Sequence, residues 1–367
     1  MAKPFSIGAE RALINGAITS ASIEITDGVI TSLTVGENSG DIQLTTGVLS
    51  PGFIDCQLNG IADINFFDAD KEDMERALTL LAHHGVTACT PSMISAPIGE
   101  LVAAINSSDC GENNLSGIAR TRHLGYHIEG PFLSDEFSRA HNGRFFLDPT
   151  RENISPLLDT HRVAIVTLAP ERAGALDAIT SIRQAGAVAS VGHSSASYHE
   201  MIDAVAAGLN MVTHLFNGMS KDINEGIIRA ARELKELTIG FIADDIHNDA
   251  ERIRWAFEQM HERIALVTDS LSTQLGNEPV FAREDGGGYR ADGTLAGSTL
   301  TLDRVIARSV AMGVPLHQAL LSATRVPARL LGRDDLGEIA VGARADLTLF
   351  TESGSIRTWI GGVEVAR

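Results

Sequence analysis

Five polar residues stand at the C-terminal ends of separate apolar runs, each with the length of a buried strand. They are Glu129, His193, His214, His247 and Asp269. Imidazoles and carboxylates are typical ligands of divalent metals, and a further carboxylate can serve as a general base toward a metal-activated water. These side chains converge only if the strands lie side by side in one closed sheet. The pattern therefore predicts a hydrolase with a metal-activated water.

The five residues divide into two chemical roles. Glu129, His193 and His214 form a two-imidazole, one-carboxylate set that leaves an open coordination position, as expected of catalytic zinc. Iron, cobalt and manganese accept the same ligands. Asp269 fits a general base, with a turn or N-cap aspartate as the alternative reading. His247 can polarise a carbonyl oxygen or bind an anion.

The other histidines are expected to have structural roles. His127 precedes Glu129 by two residues, so it shares that strand's face one pleat deeper and is interpreted as a core histidine. Seven more lie in helical or connecting stretches and are expected to face solvent or cap helices: His83, His84, His123, His161, His199, His261 and His317.

The elements that must position the site form a repeating pattern of apolar run, loop and amphipathic helix. Eight such runs occur: 52–58, 86–90, 124–129, 163–168, 187–193, 211–215, 238–243 and 264–269. The repetition predicts parallel strands with crossover helices, over 73–84, 173–185, 197–207, 249–260 and 302–312. Eight units favour an α/β fold of the (β/α)8 TIM-barrel type. The open-sheet alternative would carry a glycine-rich phosphate loop after its first strand, and 58–62 is not one.

The two ends of the chain have a different character. Residues 1–50 and 336–367 alternate short apolar pieces with turn signals such as Asn15-Gly16 and Asp27-Gly28, so we expect them to pair into one small β-domain. The barrel domain would then span 51–335. Within it, the long segment 271–298 directly follows Asp269 and is interpreted as a lid over the site, with a disordered insertion as the alternative.

Composition excludes several classes of function. The 367-residue chain has 44% hydrophobic residues, enough for a large core, and a formal net charge of −18, which argues against nucleic-acid or anionic-membrane partners. No apolar run reaches the roughly 18 residues of a membrane span, and Met1–Phe5 does not resemble a signal peptide, so a cytoplasmic location is expected. Cys56, Cys89 and Cys110 are interpreted as reduced core thiols.

Six short motifs occur in a fixed order along the chain. They are Pro51-Gly52-Phe53-Ile54-Asp55, His127-Ile128-Glu129-Gly130-Pro131-Phe132, Gly192-His193-Ser194, Thr213-His214-Leu215-Phe216-Asn217-Gly218-Met219, Val267-Thr268-Asp269 and Leu295-Ala296-Gly297-Ser298. Together they resemble the N-acetylglucosamine-6-phosphate deacetylase family of the amidohydrolase superfamily, and the similarity extends to 336–342. The resemblance implies a (β/α)8 barrel with a β-sandwich built from both termini, a homodimer, and hydrolysis of a sugar N-acetyl group to acetate and the free amine.

The resemblance also implies residue roles. Glu129, His193 and His214 would hold the metal, most simply Zn²⁺, while Asp269 would act as general base and then acid, and His247 would polarise the acetyl carbonyl. Four further residues would contact the sugar or its phosphate: His141, Asn217, Gly218 and Ser298.

Two departures from common amidohydrolase patterns sharpen these expectations. Many superfamily members carry His-x-His on the first strand and a bridging lysine on the fourth, but this chain reads Gln57-Leu58-Asn59 and Leu168-Ala169-Pro170. We therefore expect one metal per subunit, not the binuclear centre of dihydroorotase-like enzymes.

The second departure concerns phosphate recognition. Members of the resembled family commonly continue after the Asn217 motif through an arginine followed by Glu-Pro-Gly, and that arginine reaches the phosphate in the partner subunit's site. This chain reads 220–226 as SKDINEG and lacks it. Lys221 and Arg229 are the candidates to replace it, each with an exposed helix-end charge as the alternative, and a lysine lacks the planar fork of arginine.

The family resemblance implies deacetylation of N-acetyl-D-glucosamine 6-phosphate in amino-sugar catabolism. Two alternatives stay open: the same reaction on N-acetylgalactosamine 6-phosphate or a non-phosphorylated N-acetyl sugar, and a non-catalytic sugar-binding protein. The last is disfavoured because no metal ligand or candidate base is missing from the sequence.

Overall fold

The centre of the molecule is a parallel sheet whose eight principal strands follow one another in chain order. The computed structural model describes residues 4–108, 119–275 and 278–366. The strands are β1 Phe53–Leu58, β2 Val86–Ile94, β3 Tyr126–Glu129, β4 Val163–Leu168, β5 Val188–Val191, β6 Met211–Val212, β7 Thr238–Phe241 and β8 Ile264–Leu266. Every one of the eight predicted runs contains a strand, because a strand buried on both faces is a continuous apolar run.

The first and last strands meet through the residues that follow β8. Leu58 bridges Ser270 in parallel register, and the Asp269 amide donates to the Gln57 carbonyl at 2.9 Å. Thr268 Oγ1 donates to Asp55 Oδ2 at 2.7 Å beneath this junction. These contacts complete the (β/α)8 TIM-type barrel that the alternating pattern predicts.

Helices cover the barrel between the strands. They are Lys71–His83, Ile98–Ser107, Arg151–Leu158, Ala175–Gln184, Tyr198–Ala206, Gly226–Glu233, Ala250–Met260, Leu302–Ala311, Leu316–Ser322 and Arg325–Leu330. The five predicted helical stretches are confirmed, with ends shifted by no more than two residues. Their starts follow local chemistry: Ser197 and Glu200 form a capping box, and the Asp249 side chain accepts from the Arg252 amide.

Both ends of the chain contribute to a second sheet. Its strands are Phe5–Ile14, Ala17–Thr26, Val29–Val35, Ile42–Leu44, Val48–Pro51, Leu347–Thr351, Gly354–Ile360 and Val363–Glu364. Val48–Pro51 pairs antiparallel with Leu347–Thr351, which joins the two ends, and Trp359 is buried in the core of this sheet. Domain boundaries at 50/51 and 335/336 stay predictions.

The segment after Asp269 is built from small sheets. Gln274–Leu275 pairs with Glu278–Pro279, and Phe281–Ala282, Gly287–Tyr289 and Leu295–Ser298 form a three-stranded sheet. The remaining short elements are the hairpin of Gly60–Ile61 with Ile64–Asn65, the strand Arg122–His123 beside β2, and the 3-10 helices Asp135–Phe137, Gly143–Phe145 and His261–Arg263.

Burial of the side chains tests the predictions for two histidines and two cysteines. His127 is a core histidine, with Nδ1 donating to the Cys56 carbonyl at 3.0 Å and Nε2 at 2.7 Å from Thr167 Oγ1. The expectation for His123 was wrong: it is buried because its ring packs against Tyr126. Cys56 and Cys89 are buried and form no disulfide with the described residues.

Two further predictions concern Cys110 and membrane-spanning helices. Cys110 lies outside the described residues. Among the described ranges, none of the helices has both the length and the apolar character needed to cross a bilayer.

Candidate active site

The C-terminal ends of the barrel strands surround a pocket of about 290 Å³. All five strand-end residues of the sequence pattern line it: Glu129, His193, His214, His247 and Asp269. The loops above add His141, Asn217, Gly218 and Lys221 to its wall, and the segment after Asp269 adds Leu275 and Thr294. The chemistry-bearing residues therefore converge because parallel strands all end at the same rim of the barrel.

Three of these residues bring ligand atoms to one point. Glu129 Oε1 lies 2.8 Å from His214 Nε2 and 3.2 Å from His193 Nε2, and the two ring nitrogens are 3.1 Å apart. The edge of a tetrahedral zinc site with bonds near 2 Å is about 3.3 Å. Glu129, His193 and His214 thus form a triad that could hold a divalent metal, with ligand atoms all within 4.8 Å of one another.

The orientation of the His193 ring supports a metal at this point. Its Nδ1 lies 2.8 Å from the Phe137 carbonyl, which can only accept, so Nδ1 carries the proton and the Nε2 lone pair faces the triad. Gly218 leaves room for the ring: a Cβ there would lie 2.8 Å from His193 Nδ1, and its φ of +60° is one that glycine adopts freely. The donor set fits a bound cation, because the His193 Nε2 lone pair and the Glu129 Oε1 lone pairs, 3.2 Å apart, repel without one.

Three site residues have left-handed backbone conformations. His193, His214 and Asp269 have φ values of +48°, +29° and +46°, which are uncommon for residues other than glycine. Each turns the chain sharply where a strand ends. Such strain is concentrated at functional sites, and here it aims three polar side chains into the barrel mouth.

Asp269 is held by two side-chain amides at the C-terminal end of the first strand. Asn59 Nδ2 donates to Asp269 Oδ1 at 2.8 Å, and Gln57 Nε2 lies 3.4 Å from the same oxygen and 3.3 Å from Glu129 Oε1. Gln57 and Asn59 occupy the positions where many amidohydrolases carry histidines. They act here as donors that position the two carboxylates.

The electrostatics of the two carboxylates differ. Burial would raise the pKa of Glu129, but the adjacent His193 and His214 rings hold it well below its usual range. Burial raises the pKa of Asp269, and the negative charge of Glu129 raises it further, against His214, His247 and Asn59. Glu129 is therefore a permanent anion suited to a cation, whereas Asp269 is the group suited to exchanging a proton.

The two other histidines are each fixed by a partner. His247 Nδ1 donates to Asp244 Oδ2 at 2.7 Å, and this contact outweighs burial and lowers the pKa of Asp244. His141 Nδ1 lies 2.9 Å from Ser95 Oγ, and burial lowers the pKa of His141 to about 3. Both rings are thereby oriented toward the pocket they line.

Two residues of the sequence-based set lie away from the pocket wall. Ser298 is buried, and its amide donates to the Asp269 carbonyl at 3.0 Å, so it supports the backbone of the candidate base. Arg229 stacks 3.9 Å from the centre of the Tyr198 ring and pairs with Glu233 at 3.3 Å.

Arg139, which lines the pocket with Lys221, was not among the site residues predicted from sequence. Gln57 and Asn59 were noted in the sequence only as positions that lack metal-ligating histidines. Arg139 lies in an irregular loop that carries no periodic signal. The alternation of β1 could have placed Gln57 and Asn59 on the face of Asp55, since residues two apart share a face.

Comparison with known proteins agrees with this geometry. The profile of the amidohydrolase family matches residues 48–365. N-acetylglucosamine-6-phosphate deacetylase of Caenorhabditis elegans is 32% identical, with 87% of this chain and 82% of the relative covered. N-acetylgalactosamine-6-phosphate deacetylase of Shewanella sp. (strain ANA-3) is 31% identical, covering 96% and 93%.

A solved structure extends the agreement to the whole fold. An aspartate-to-alanine mutant of N-acetyl-D-glucosamine-6-phosphate deacetylase from Mycobacterium smegmatis, in complex with N-acetyl-D-glucosamine-6-phosphate, superposes with a TM-score of 0.92 at 30% identity, and the match covers 100% of both chains. The chain belongs to the amidohydrolase family and, within it, to the N-acetylglucosamine-6-phosphate deacetylases that its ordered motifs resemble.

Proposed function

We propose that this protein hydrolyses the N-acetyl group of N-acetyl-D-glucosamine 6-phosphate to acetate and D-glucosamine 6-phosphate, in amino-sugar catabolism. One observation carries the proposal: a metal triad, a proton-exchanging aspartate and an oriented histidine line the same pocket. An amide hydrolase needs each of these, because amide cleavage requires an activated water, a polarised carbonyl and a proton for the departing amine.

The triad Glu129, His193 and His214 would hold one divalent metal, Zn²⁺ in the first instance, with Fe²⁺, Co²⁺ or Mn²⁺ as substitutes. When bound there, such an ion supplies Lewis-acid polarisation and lowers the pKa of water toward neutrality. One metal per subunit is supported by the roles of Gln57 and Asn59, whose amide nitrogens donate to Glu129 and Asp269 and are therefore not ligands.

Asp269 would carry the proton through the reaction. As a carboxylate it accepts a proton from the attacking water, and as the acid it returns that proton to the sugar nitrogen when the C–N bond breaks. The raised pKa of Asp269 suits both directions of transfer. Asn59 fixes the oxygen that receives the hydrogen bond, so the opposite oxygen is the one left for the proton.

His247 would orient and polarise the acetyl carbonyl. Its Nδ1 is committed to Asp244, so Nε2 is the atom that faces substrate. His141 stays neutral at physiological pH because of its burial, and a neutral ring can donate to or accept from a sugar hydroxyl. Asn217 and Gly218 would contact the sugar or its phosphate from the loop after β6.

A second candidate substrate is N-acetylgalactosamine 6-phosphate. It is favoured by the Shewanella relative, whose identity to this chain is comparable to that of the C. elegans protein and whose match covers more of this chain. The two sugars are epimers, so the same catalytic residues would act on both.

Acetate release from a panel of sugars tests the proposal. The zinc-reconstituted protein would be assayed with N-acetylglucosamine and N-acetylgalactosamine, each with and without the 6-phosphate. We expect the highest kcat/KM for N-acetylglucosamine 6-phosphate. No acetate from any sugar, with metal bound stoichiometrically, would refute the deacetylase; equal kcat/KM for phosphorylated and plain sugars would refute the phosphate requirement.

The homodimer and the cytoplasmic location remain predictions from the resemblance and the composition. Light scattering of the purified protein tests the first, and fractionation of the source cells tests the second.

A further inference from the structure

Two basic side chains from different loops line the active-site pocket. Arg139 follows the 3-10 helix Asp135–Phe137 in the loop after β3, and Lys221 follows Asn217 and Gly218 in the loop after β6. Both side chains are exposed at the pocket. The two loops come from strands that are not neighbours, so only the closed barrel brings these cations to one cavity.

Neither cation is neutralised within the described part of the chain. Arg139 and Lys221 form no ion pair or hydrogen bond with the described residues, and Arg139 makes a distant contact, 5.9 Å, with the Phe137 ring. Nearby arginines are paired: Arg252 contacts Asp249 at 2.9 Å, and Arg229 contacts Glu233. The chain as a whole has a net charge of −18. Two cations at one pocket, without ion-pair partners among the described residues, therefore make the potential there more positive than over the rest of the protein.

The two cations also act on each other. Partial burial lowers the pKa of Lys221, and the positive charges of Arg252 and Arg139 lower it further, against Asp249. Like charges held on separate loops around a shared space are stabilised by an anion between them. The pocket between them also contains Asp269 and the metal triad, so the anion would belong to a molecule that reaches the catalytic residues.

The backbone of Arg139 restricts where its side chain can go. Its φ is +50°, a conformation that glycine adopts at lower cost. The next two residues, Ala140 and His141, also line the pocket, and His141 is tied to Ser95. Arg139 therefore projects from a turn that is anchored at the site.

We propose that Arg139 and Lys221 of the same subunit bind the phosphate of the substrate, so that each subunit carries its own phosphate site. This inference rests on the proposed function. The guanidinium supplies a planar pair of donors and the ammonium a point charge, a combination suited to a phosphate monoester dianion. It differs from the arrangement implied by the family resemblance, in which an arginine arrives from the partner subunit.

The test compares four variants on one pair of substrates. Arg139→Gln, Lys221→Gln and the double variant would be assayed with N-acetylglucosamine with and without the 6-phosphate. Arg144→Gln is the matched control, since this exposed arginine lies in the same loop but does not line the active-site pocket.

We expect each single change to lower kcat/KM for the phosphorylated sugar by about 10- to 100-fold, as for loss of a charge-assisted hydrogen bond. The value for the plain sugar should stay within about twofold, because neither side chain contacts the reacting atoms, and Arg144→Gln should change neither value. A double variant that keeps the wild-type preference for the phosphorylated sugar would overturn the inference.

Binding of inorganic phosphate, measured by calorimetry, separates this inference from the proposed function. Loss of binding in the double variant supports the cation pair even if no sugar is deacetylated, and unchanged binding refutes it. Hybrids of Asp269→Asn subunits with double-variant subunits test the subunit assignment. Activity at the level of the double variant is expected, whereas recovery toward the wild type would place the cations in the partner's site.

Discussion

The two functional ends of the active-site pocket are built in different ways. At the metal end, Glu129 and His214 are 2% and 3% exposed, lie at strand ends and contact each other at 2.8 Å. At the phosphate end, Arg139 and Lys221 are exposed, lie in loops and have no ion-pair partner within the described ranges.

The difference separates reaction from recognition. Bond-breaking groups must be held within a fraction of an ångström, and barrel strands supply that rigidity. A phosphate can be bound by charges on longer, mobile side chains, so loops suffice. Changes at the metal end should therefore abolish turnover, while changes at the phosphate end should alter which sugar is used.

Metal removal should have the largest effect and act on both substrates alike. Dialysis against a chelator is expected to reduce acetate release to background and to lower Tm, because a ligand that binds only the folded state stabilises it. Zn²⁺ should restore both. Full activity in protein shown by elemental analysis to be metal-free would contradict the role of the triad.

Asp269→Asn should lower kcat by about 1000-fold, the scale of a lost general acid–base. The amide keeps the shape and cannot accept the proton. Metal content and KM should change little, since Asp269 is outside the triad. Near-wild-type kcat in a variant that retains its metal would assign the proton transfer to another group.

Asn59→Leu should lower kcat by about tenfold, because it removes the shorter hydrogen bond to Asp269 Oδ1. That bond lowers the pKa of Asp269, so its loss raises the pKa further. The acid limb of the kcat/KM profile should then move to higher pH. Asn224→Leu, on an exposed loop, is the control, and an unmoved limb in Asn59→Leu would rule out this positioning role.

The smallest expected effect is on the pH dependence of stability, through Asp55, which lies beneath the metal end where the first and last strands meet. Burial raises the pKa of Asp55 to about 7, although hydrogen bonds from Thr268 and Gln57 lower it. Between about pH 4, its usual pKa, and pH 7, the folded protein holds a proton that the unfolded chain has lost. Asp55 therefore makes the free energy of unfolding larger as pH falls through this window.

Asp55→Asn should remove this increment. Urea denaturation at pH 7 and pH 5 is expected to give a smaller gain on acidification for the variant than for the wild type. Equal gains for the two proteins would show that Asp55 does not titrate in this range.

Much of the metal end was predictable from sequence. Each ligand terminates an apolar run, and eight runs alternating with helices leave few alternatives to a barrel whose strand ends meet. The roles of Gln57 and Asn59 were not predictable in this way, because a hydrogen bond from β1 to Asp269 depends on how the first and last strands meet. The hydrogen bond from the Ser298 amide to the Asp269 carbonyl was likewise not predictable, and the predicted contact of Ser298 with substrate stays a prediction.

The cations at the phosphate end of the pocket were harder to predict from sequence. Lys221 was predicted because it follows the Asn217 motif. Arg139 lies in an irregular loop, and the sequence around it does not indicate that it lines the same pocket as Lys221. Arg229 looked equivalent to Lys221 in sequence and is paired with Glu233 in the structure.

Local sequence patterns were enough to predict the barrel and the strand-end positions of the candidate metal ligands and the candidate base, because hydrophobic periodicity depends on burial and each of these residues follows an apolar run. The choice of cations that reach the pocket, and the hydrogen bonds that hold Asp269, depend on the folded barrel. Those contacts join residues up to 212 positions apart, and their distances depend on barrel closure and loop conformation, which no local pattern encodes.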